Sequence, residues 1–127
     1  MTIEYISEGG DVTPAVVIYG RDWEACQSLE EGFQHLAEGK VKQVAVHLIP
    51  KFESRDGIKL IARVGEKDSG VTSSSAKDFE ISLTKQSWAR TAQALQPFCR
   101  PLPEDDDTVA HLDRSGKIAL TIATEKL

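Results

Sequence analysis

The sequence predicts a single α+β domain, spanning residues 1–127, in which two amphipathic helices pack on a mixed or mostly antiparallel sheet. Its helical and strand-like segments follow the order β-β-α-β-β-β-α-β-β. The hairpin-linked strands between the two helices favour an α+β layer over a doubly wound parallel sheet. The length of 127 residues is typical of one domain, and 40% hydrophobic with 28% charged residues is an ordinary globular composition.

The N-terminal part of the chain predicts three strands. Ile3 and Tyr5 begin a short edge strand, and the cluster Glu8–Asp11 predicts a turn after it. Residues Ala15–Tyr19 are apolar on both faces, which is typical of an interior strand. Val41–Ile49 predicts a second buried strand, so we expect the helix between these two segments to form a βαβ crossover.

The first helix is predicted between Asp22 and Gly39. Asp22 is a suitable N-cap because its short acceptor side chain can bind free amide groups of the first turn. Gly39 is a typical C-terminal residue of a helix. The apolar residues between them advance by three or four and define one buried face: Trp23, Cys26, Leu29, Phe33 and Leu36.

The middle of the chain predicts two amphipathic strands separated by a long loop. Residues 53–57 read as a hairpin connection in which Gly57 takes a positive φ. Ile58–Val64 and Phe79–Leu83 show the alternation of half-exposed strands. The polar segment between them, about residues 65–77, predicts a mobile loop.

The C-terminal part predicts a short helix, a connector and a hairpin. Thr84 caps a helix of about residues 85–96, which Pro97 ends. An acidic connector of about residues 100–107 follows. Residues 108–112 and 117–124 are then predicted to form the two strands of the hairpin.

From its sequence we expect neither a membrane span nor a secretory leader. Its longest apolar stretches, Ala15–Tyr19 and Val44–Pro50, are far shorter than the roughly 18 residues that a span needs. The N-terminus lacks a basic region followed by an apolar core. Two cysteines, Cys26 and Cys99, do not make a disulfide framework, so we expect a cytoplasmic protein.

No motif names a reaction, a cofactor or a metal. The three histidines, His35, His47 and His111, lack partners at the spacing of a zinc site. We interpret the cysteines as small buried hydrophobic residues, although Cys99 stands beside a basic residue that could activate it. We therefore expect no cofactor and no metal, and we favour a non-enzymatic role without excluding an enzyme.

The net charge of −5 is unevenly distributed along the chain. Residues 1–40 hold eight acidic and two basic residues, residues 41–100 hold six and ten, and residues 101–127 hold six and three. A general nucleic-acid binder usually has a dominant basic field, so this distribution argues against direct nucleic-acid binding. It is compatible with a basic protein that meets the acidic N-terminal part.

The outer face of the first helix carries the most informative charge pattern. No Lys or Arg lies between Asp22 and Gly39, so the usual i,i+4 ion pairs are absent from the helix. The pattern indicates either a solvated face that serves solubility or a surface complementary to a basic partner. Residues spaced by three or four form the stripe: Glu24, Ser28, Glu31, His35 and Glu38.

These features support two hypotheses of different classes. The first is a non-catalytic protein-binding domain, either a monomer or a homodimer, that neutralises a basic partner through its acidic surface. In size and charge alone, the chain is similar to bacterial immunity proteins, which inhibit secreted toxins, many of them nucleases. The predicted partner-binding residues lie on the first helix and, if the loops fold to the same side, in the acidic connector: Glu24, Glu31, Glu38, Asp105, Asp106 and Asp107.

The alternative hypothesis is a small ligand-binding domain or enzyme. Its pocket would lie between the sheet and the 65–77 loop, because mobile loops often close over ligands. The candidate polar groups are Arg63, Ser73, Ser74 and His111. A chain of this size needs most of its apolar residues for its own core, which argues against a large pocket.

Overall fold

In the computed structural model, which describes residues 1–7, 14–101, 103 and 107–126, the strands divide into two sheets. Along the chain the strands are β1 (Thr2–Ile6), β2 (Ala15–Tyr19), β3 (Gln43–Ala45), β4 (Glu53–Ser54), β5 (Lys59–Val64), β6 (Gly70–Ser73), β7 (Asp78–Leu83), β8 (Val109–Asp113) and β9 (Ala119–Ala123). The helices are α1 (Trp23–Glu38) and α2 (Lys85–Ala94). One sheet has the order β4-β1-β2-β9-β8, and the other has the order β3-β5-β7-β6.

The α+β class is confirmed, and both sheets are mixed. In the five-stranded sheet β1 pairs antiparallel with β2, while β2 pairs parallel with β9. In the four-stranded sheet β5 pairs parallel with β7 and antiparallel with β3. The expectation of one continuous sheet is wrong, and so is the βαβ crossover, because β2 and β3 lie in different sheets.

The helix α1 has the predicted bounds. The Asp22 carboxylate accepts a hydrogen bond from the Ala25 amide at 3.0 Å, and Gly39 ends the helix in the left-handed conformation with φ of 74°. One face of the helix is buried in the main core: Ala25, Cys26, Leu29, Phe33 and Leu36. Trp23, predicted for this face, is only half-buried.

The helix α2 begins where predicted and packs against α1. The Thr84 hydroxyl accepts a hydrogen bond from the Ser87 amide at 3.2 Å, as expected of an N-cap. The helix ends at Ala94, before a 3₁₀ turn over Gln96–Phe98 that accommodates the proline. The buried Trp88 ring lies 4.7 Å from the Phe33 ring of α1, centroid to centroid.

The predicted strand Val41–Ile49 is shorter than expected. Pairing with β5 covers only Gln43–Ala45, after which the chain forms a 3₁₀ turn over Val46–Leu48. Beyond Ala45 the His47 side chain, rather than the backbone, contacts β5. The His47 Nδ1 lies 3.1 Å from the Leu60 amide nitrogen and 3.2 Å from the Leu60 carbonyl oxygen. The prediction of a buried strand is also wrong, since Val41 and Leu48 are exposed and only Val46 of this segment is fully buried. The apolar pattern alone does not distinguish one strand from a short strand followed by a 3₁₀ turn.

The segment predicted as a hairpin connection, residues 53–57, instead adds a strand. Glu53–Ser54 forms β4, which pairs parallel with β1 and covers part of its outer edge. The prediction that β1 is an edge strand is therefore wrong for its first residues. A 3₁₀ turn over Arg55–Gly57 follows, and Gly57 has the predicted positive φ, at 70°.

The segment predicted as a loop over about residues 65–77 contains the strand β6. The polar residues of this strand are exposed on an edge, so its composition resembles that of a loop. Gly70 begins the strand with φ of 72°, and its backbone lies directly against that of Gly116. Beside this contact an isolated antiparallel bridge, Val71 to Ile118, connects the two sheets.

The predicted C-terminal hairpin is confirmed as β8 and β9, with a register shift between His111 and Asp113. The predicted turn at Glu8–Asp11 lies outside the described residues, as do positions 102 and 104–106 of the predicted connector. Within the part of the chain that the structure describes, no helix combines the length and the apolar character needed to cross a membrane.

Candidate functional site

The outer face of α1 presents three carboxylates to solvent. Glu24, Glu31 and Glu38 are spaced by seven residues, about two helical turns, so they align along the helix. Their side chains are 61%, 71% and 49% exposed, respectively. The opposite face of the helix is buried in the core, so the fold fixes the outward direction of this row.

Cations from outside the helix approach this row. Glu24 lies 3.6 Å from Lys51, and Glu38 lies 3.2 Å from Lys40. Glu31 lies 3.9 Å from His35 within the helix. Exposed pairs of this kind contribute about 0–1 kcal/mol each, so a partner can replace them at small cost. Neither lysine belongs to α1, so the charge pattern of the helix did not predict these two ion pairs.

A shallow cleft of about 340 Å³ lies beside the first half of this row. It is formed by Glu24, Ser28 and Glu31 of α1 and by Pro50 and Lys51 opposite them. The surface therefore combines negative charge with a concavity.

The backbone that carries Lys51 is held in an uncommon conformation. Lys51 has φ of 71°, and its carbonyl oxygen accepts a hydrogen bond from the Met1 ammonium at 2.9 Å. The Glu53 amide in turn donates to the Met1 carbonyl at 2.8 Å. These bonds fix the far wall of the cleft relative to β1.

The predicted connector residues fall elsewhere or outside the described chain. The Asp107 carboxylate accepts a hydrogen bond from Arg21, immediately before the α1 cap, at 3.0 Å. Arg21 also donates to the Pro103 carbonyl at 2.9 Å. The structure thus attaches Asp107 to the start of α1 rather than to its outer row. Asp105 and Asp106 lie outside the described residues.

The four polar groups of the alternative hypothesis do not line a common cleft among those described. Arg63 of β5 donates to Glu80 of β7 at 2.9 Å, and His111 lies 3.1 Å from the Thr121 hydroxyl in the other sheet. Ser73 lines a groove beside Gly116–Ile118, whereas Ser74 lines a separate cleft with His47.

A different cavity, of about 240 Å³, joins the predicted loop segment to α2 and β8. Its polar lining comes from Asp68, Ser87, Arg90, Thr91 and Asp113, and leucines complete the wall. We refer to it as the polar cavity. These residues belong to three distant segments, so no spacing in the sequence predicted the cavity.

Most polar groups of the polar cavity bind each other. Asp68 accepts hydrogen bonds from the Thr84 amide at 2.9 Å and from the Ser87 hydroxyl at 2.6 Å. The Ser87 hydroxyl bond, followed by the Thr84 amide bond, lowers the pKa of Asp68 from its ordinary value. Arg90 donates to the Ser87 hydroxyl at 2.9 Å, and Thr91 donates to the Ser87 carbonyl at 2.8 Å.

Asp113 is the exception in this cavity. Its Oδ1 accepts a hydrogen bond from the Ser115 hydroxyl at 2.8 Å. Its Oδ2 is withdrawn from solvent and has no hydrogen-bond partner among the described residues. A buried polar atom without a partner costs about 1–3 kcal/mol, so this oxygen lowers the stability of the fold unless a donor reaches it.

The cysteines are not activated. Burial raises the pKa of Cys26 to about 12, and burial together with the neighbouring Glu30 raises the pKa of Cys99 to about 11. Proximity to Arg100 therefore does not make Cys99 a reactive thiol. Within the described ranges, the side chains of His, Cys, Asp and Glu form no group of three that could hold a metal ion.

Comparison of the chain with models of known protein families, with curated proteins and with solved structures gave no match.

Replacing Asp68 by asparagine is expected to lower the free energy of unfolding at neutral pH by about 1 kcal/mol, a usual value for one lost side-chain hydrogen bond. An amide retains an acceptor for Thr84 but loses the Ser87 bond. Because folding lowers the pKa of Asp68, its stabilising contribution is present above its unfolded value of about 3.8 and is lost as pH falls through the lower folded value.

Urea unfolding of wild type and Asp68→Asn at neutral and acid pH measures this difference. The difference between the two proteins should be largest at neutral pH and shrink below about pH 3.8. Glu66→Gln, in the same segment and exposed, is the control and should follow the wild type. A difference that grew on acidification would contradict the assigned role.

Proposed function

We propose that this chain is a non-catalytic binding domain that uses the outer face of α1 to bind and neutralise a basic protein. The observation that carries the proposal is the exposed, aligned row of Glu24, Glu31 and Glu38 beside a cleft. An inhibitor of a toxin or nuclease that covers a basic active site is the most concrete form of this function. Such an inhibitor needs no catalytic group of its own.

Electrostatic complementarity is the proposed mechanism of recognition. The row attracts a basic surface and speeds encounter, and the effect weakens as salt screens the charges. On binding, partner cations replace Lys51 and Lys40 near Glu24 and Glu38. A lysine or arginine side chain entering the cleft reaches Glu24 and Glu31 together.

The test compares the wild type with the triple variant Glu24→Gln, Glu31→Gln and Glu38→Gln. Both proteins are immobilised and exposed to lysate of the source organism, and any basic protein retained is purified and its affinity measured at several salt concentrations. We expect the triple variant to bind about threefold to a hundredfold more weakly, since three exposed ion pairs each contribute a few tenths to 1 kcal/mol. We also expect the wild-type affinity to fall as salt rises.

A matched control carries the same change of charge elsewhere on the surface: Glu53→Gln, Asp56→Asn and Glu66→Gln, all exposed. The control should retain wild-type affinity. Equal losses in both triple variants would show an effect of net charge rather than of the α1 row. A retained partner that binds the α1 variant as tightly as the wild type would overturn the proposal.

A further inference from the structure

The polar cavity between α2, β8 and the segment around Asp68 contains one buried acceptor atom that receives no hydrogen bond. The Ser87 and Thr91 hydroxyls and the Asp68 carboxylate already bind neighbouring groups. Among the described residues, the buried side-chain atom without a partner is Asp113 Oδ2. A group that enters this cavity and donates a hydrogen bond to Asp113 therefore removes a defect of the fold.

The charge of the polar cavity indicates the sign of its ligand. Two carboxylates, Asp68 and Asp113, and one guanidinium, Arg90, line it, which leaves one formal negative charge. The lowered pKa of Asp68 keeps that carboxylate ionised at neutral pH. A cation with several donor hydrogens matches this environment better than an anion or a neutral acceptor, because charge-assisted hydrogen bonds are the stronger ones.

The size and walls of the polar cavity limit the ligand further. A volume of about 240 Å³ is below the range of about 300–1,000 Å³ typical of drug-sized ligands. The side chains of Leu83 and Leu112 provide apolar surface beside the carboxylates. Arg90 also lines the cavity, and its side chain is exposed, so it can move without disturbing the core.

We propose that the polar cavity binds a small primary amine, with the ammonium group donating to Asp113 Oδ2 and the alkyl part lying against Leu83 and Leu112. Arg90 forms the movable wall of the site. The proposal does not depend on the outer face of α1, so it stands or fails separately from the proposed protein-binding function.

Amide NMR titration with ethylammonium chloride, at constant ionic strength, tests the proposal on the wild-type chain. We expect saturable shifts concentrated at Ser87, Thr91 and Asp113. Ethanol, of similar size but uncharged, and acetate, an anion, should not produce them. Nα-acetyl-lysine amide distinguishes a free amine from a lysine side chain and should bind more weakly, because the cavity is small.

The variant Asp113→Asn removes the charge and should weaken ethylammonium binding about tenfold or more, as expected for a lost charge-assisted hydrogen bond. Asp56→Asn makes the same chemical change in an exposed turn and should bind like the wild type. If ethylammonium causes no localised shifts, the cavity does not bind the amine and the proposal is overturned. Equal responses to ethanol and ethylammonium would also overturn it, and this comparison needs no variant.

Discussion

Replacing Trp88 by alanine is expected to lower the free energy of unfolding by about 4 kcal/mol, within the range for a buried tryptophan. The Trp88 side chain is fully buried and packs against Phe33, so its removal opens a cavity where the two helices meet. The change also leaves the Arg63 carbonyl without the indole donor that binds it at 2.9 Å. Urea unfolding followed by far-UV circular dichroism measures the loss.

Two further variants separate the contributions of packing and of the hydrogen bond. Trp88→Phe retains much of the packing but removes the indole donor, so we expect an intermediate loss of about 1–3 kcal/mol. Trp23→Ala, at a half-buried position, should cost less than Trp88→Ala. If Trp88→Ala does not fold, the phenylalanine variant still measures the contact. Equal losses at the two tryptophans would contradict the importance of the α1–α2 contact.

Replacing Gly70 by alanine is expected to cost about 3 kcal/mol or more, from a left-handed backbone penalty of about 1–2 kcal/mol and from steric overlap. Gly70 has φ of 72°, and an added Cβ would overlap the Gly116 nitrogen and lie 2.8 Å from the Gly116 Cα. Backbone cannot rotate away as a side chain can, so β6 and the β8–β9 turn would have to separate. Thermal and urea unfolding measure the loss.

Gly57→Ala is the matched control for this prediction. Gly57 has nearly the same φ, at 70°, but an added Cβ would meet nothing within 4 Å. Its cost should therefore be the conformational part alone, about 1–2 kcal/mol. The difference between the two variants measures the close approach of the two sheets. Equal costs would show that this approach is not tightly packed.

The expected effects of the surface changes are smaller, which is consistent with their proposed role. Glu24, Glu31 and Glu38 project into solvent, and their ion pairs are exposed. Neutralising them should change stability little, since surface substitutions are usually within about 0.5 kcal/mol. A loss of partner binding without a loss of stability would therefore identify the α1 row as a recognition surface.

Features that depend on neighbouring residues could be predicted from the sequence. The spacing of apolar residues and the caps at Asp22 and Thr84 located both helices, because each cap acts within one helical turn. The unbroken apolar run of β2 predicted its interior position, since both of its faces are buried. The row of glutamates on α1 followed from the same helical periodicity.

Pairing between distant segments could not be predicted. Several predicted strands have similar apolar patterns, so the sequence does not predict that β2 pairs with β9 rather than with β3. Short strands such as β4 and β6 resemble turns and loops, because edge strands carry polar residues on exposed positions. The 3₁₀ turn after β3, with His47 substituting for backbone, has no pattern of its own.

The sequence by itself determined the α+β class, the two helices, the C-terminal hairpin and the acidic outer face of α1. These features arise from contacts within a few residues, where spacing and capping chemistry are decisive. The tertiary structure alone decided the division into two sheets, the approach of Lys51 to Glu24, and the assembly of Asp68, Arg90 and Asp113 around one cavity. Those arrangements depend on which distant segments pack together, and that choice is made by burial and pairing across the whole chain rather than by any local pattern.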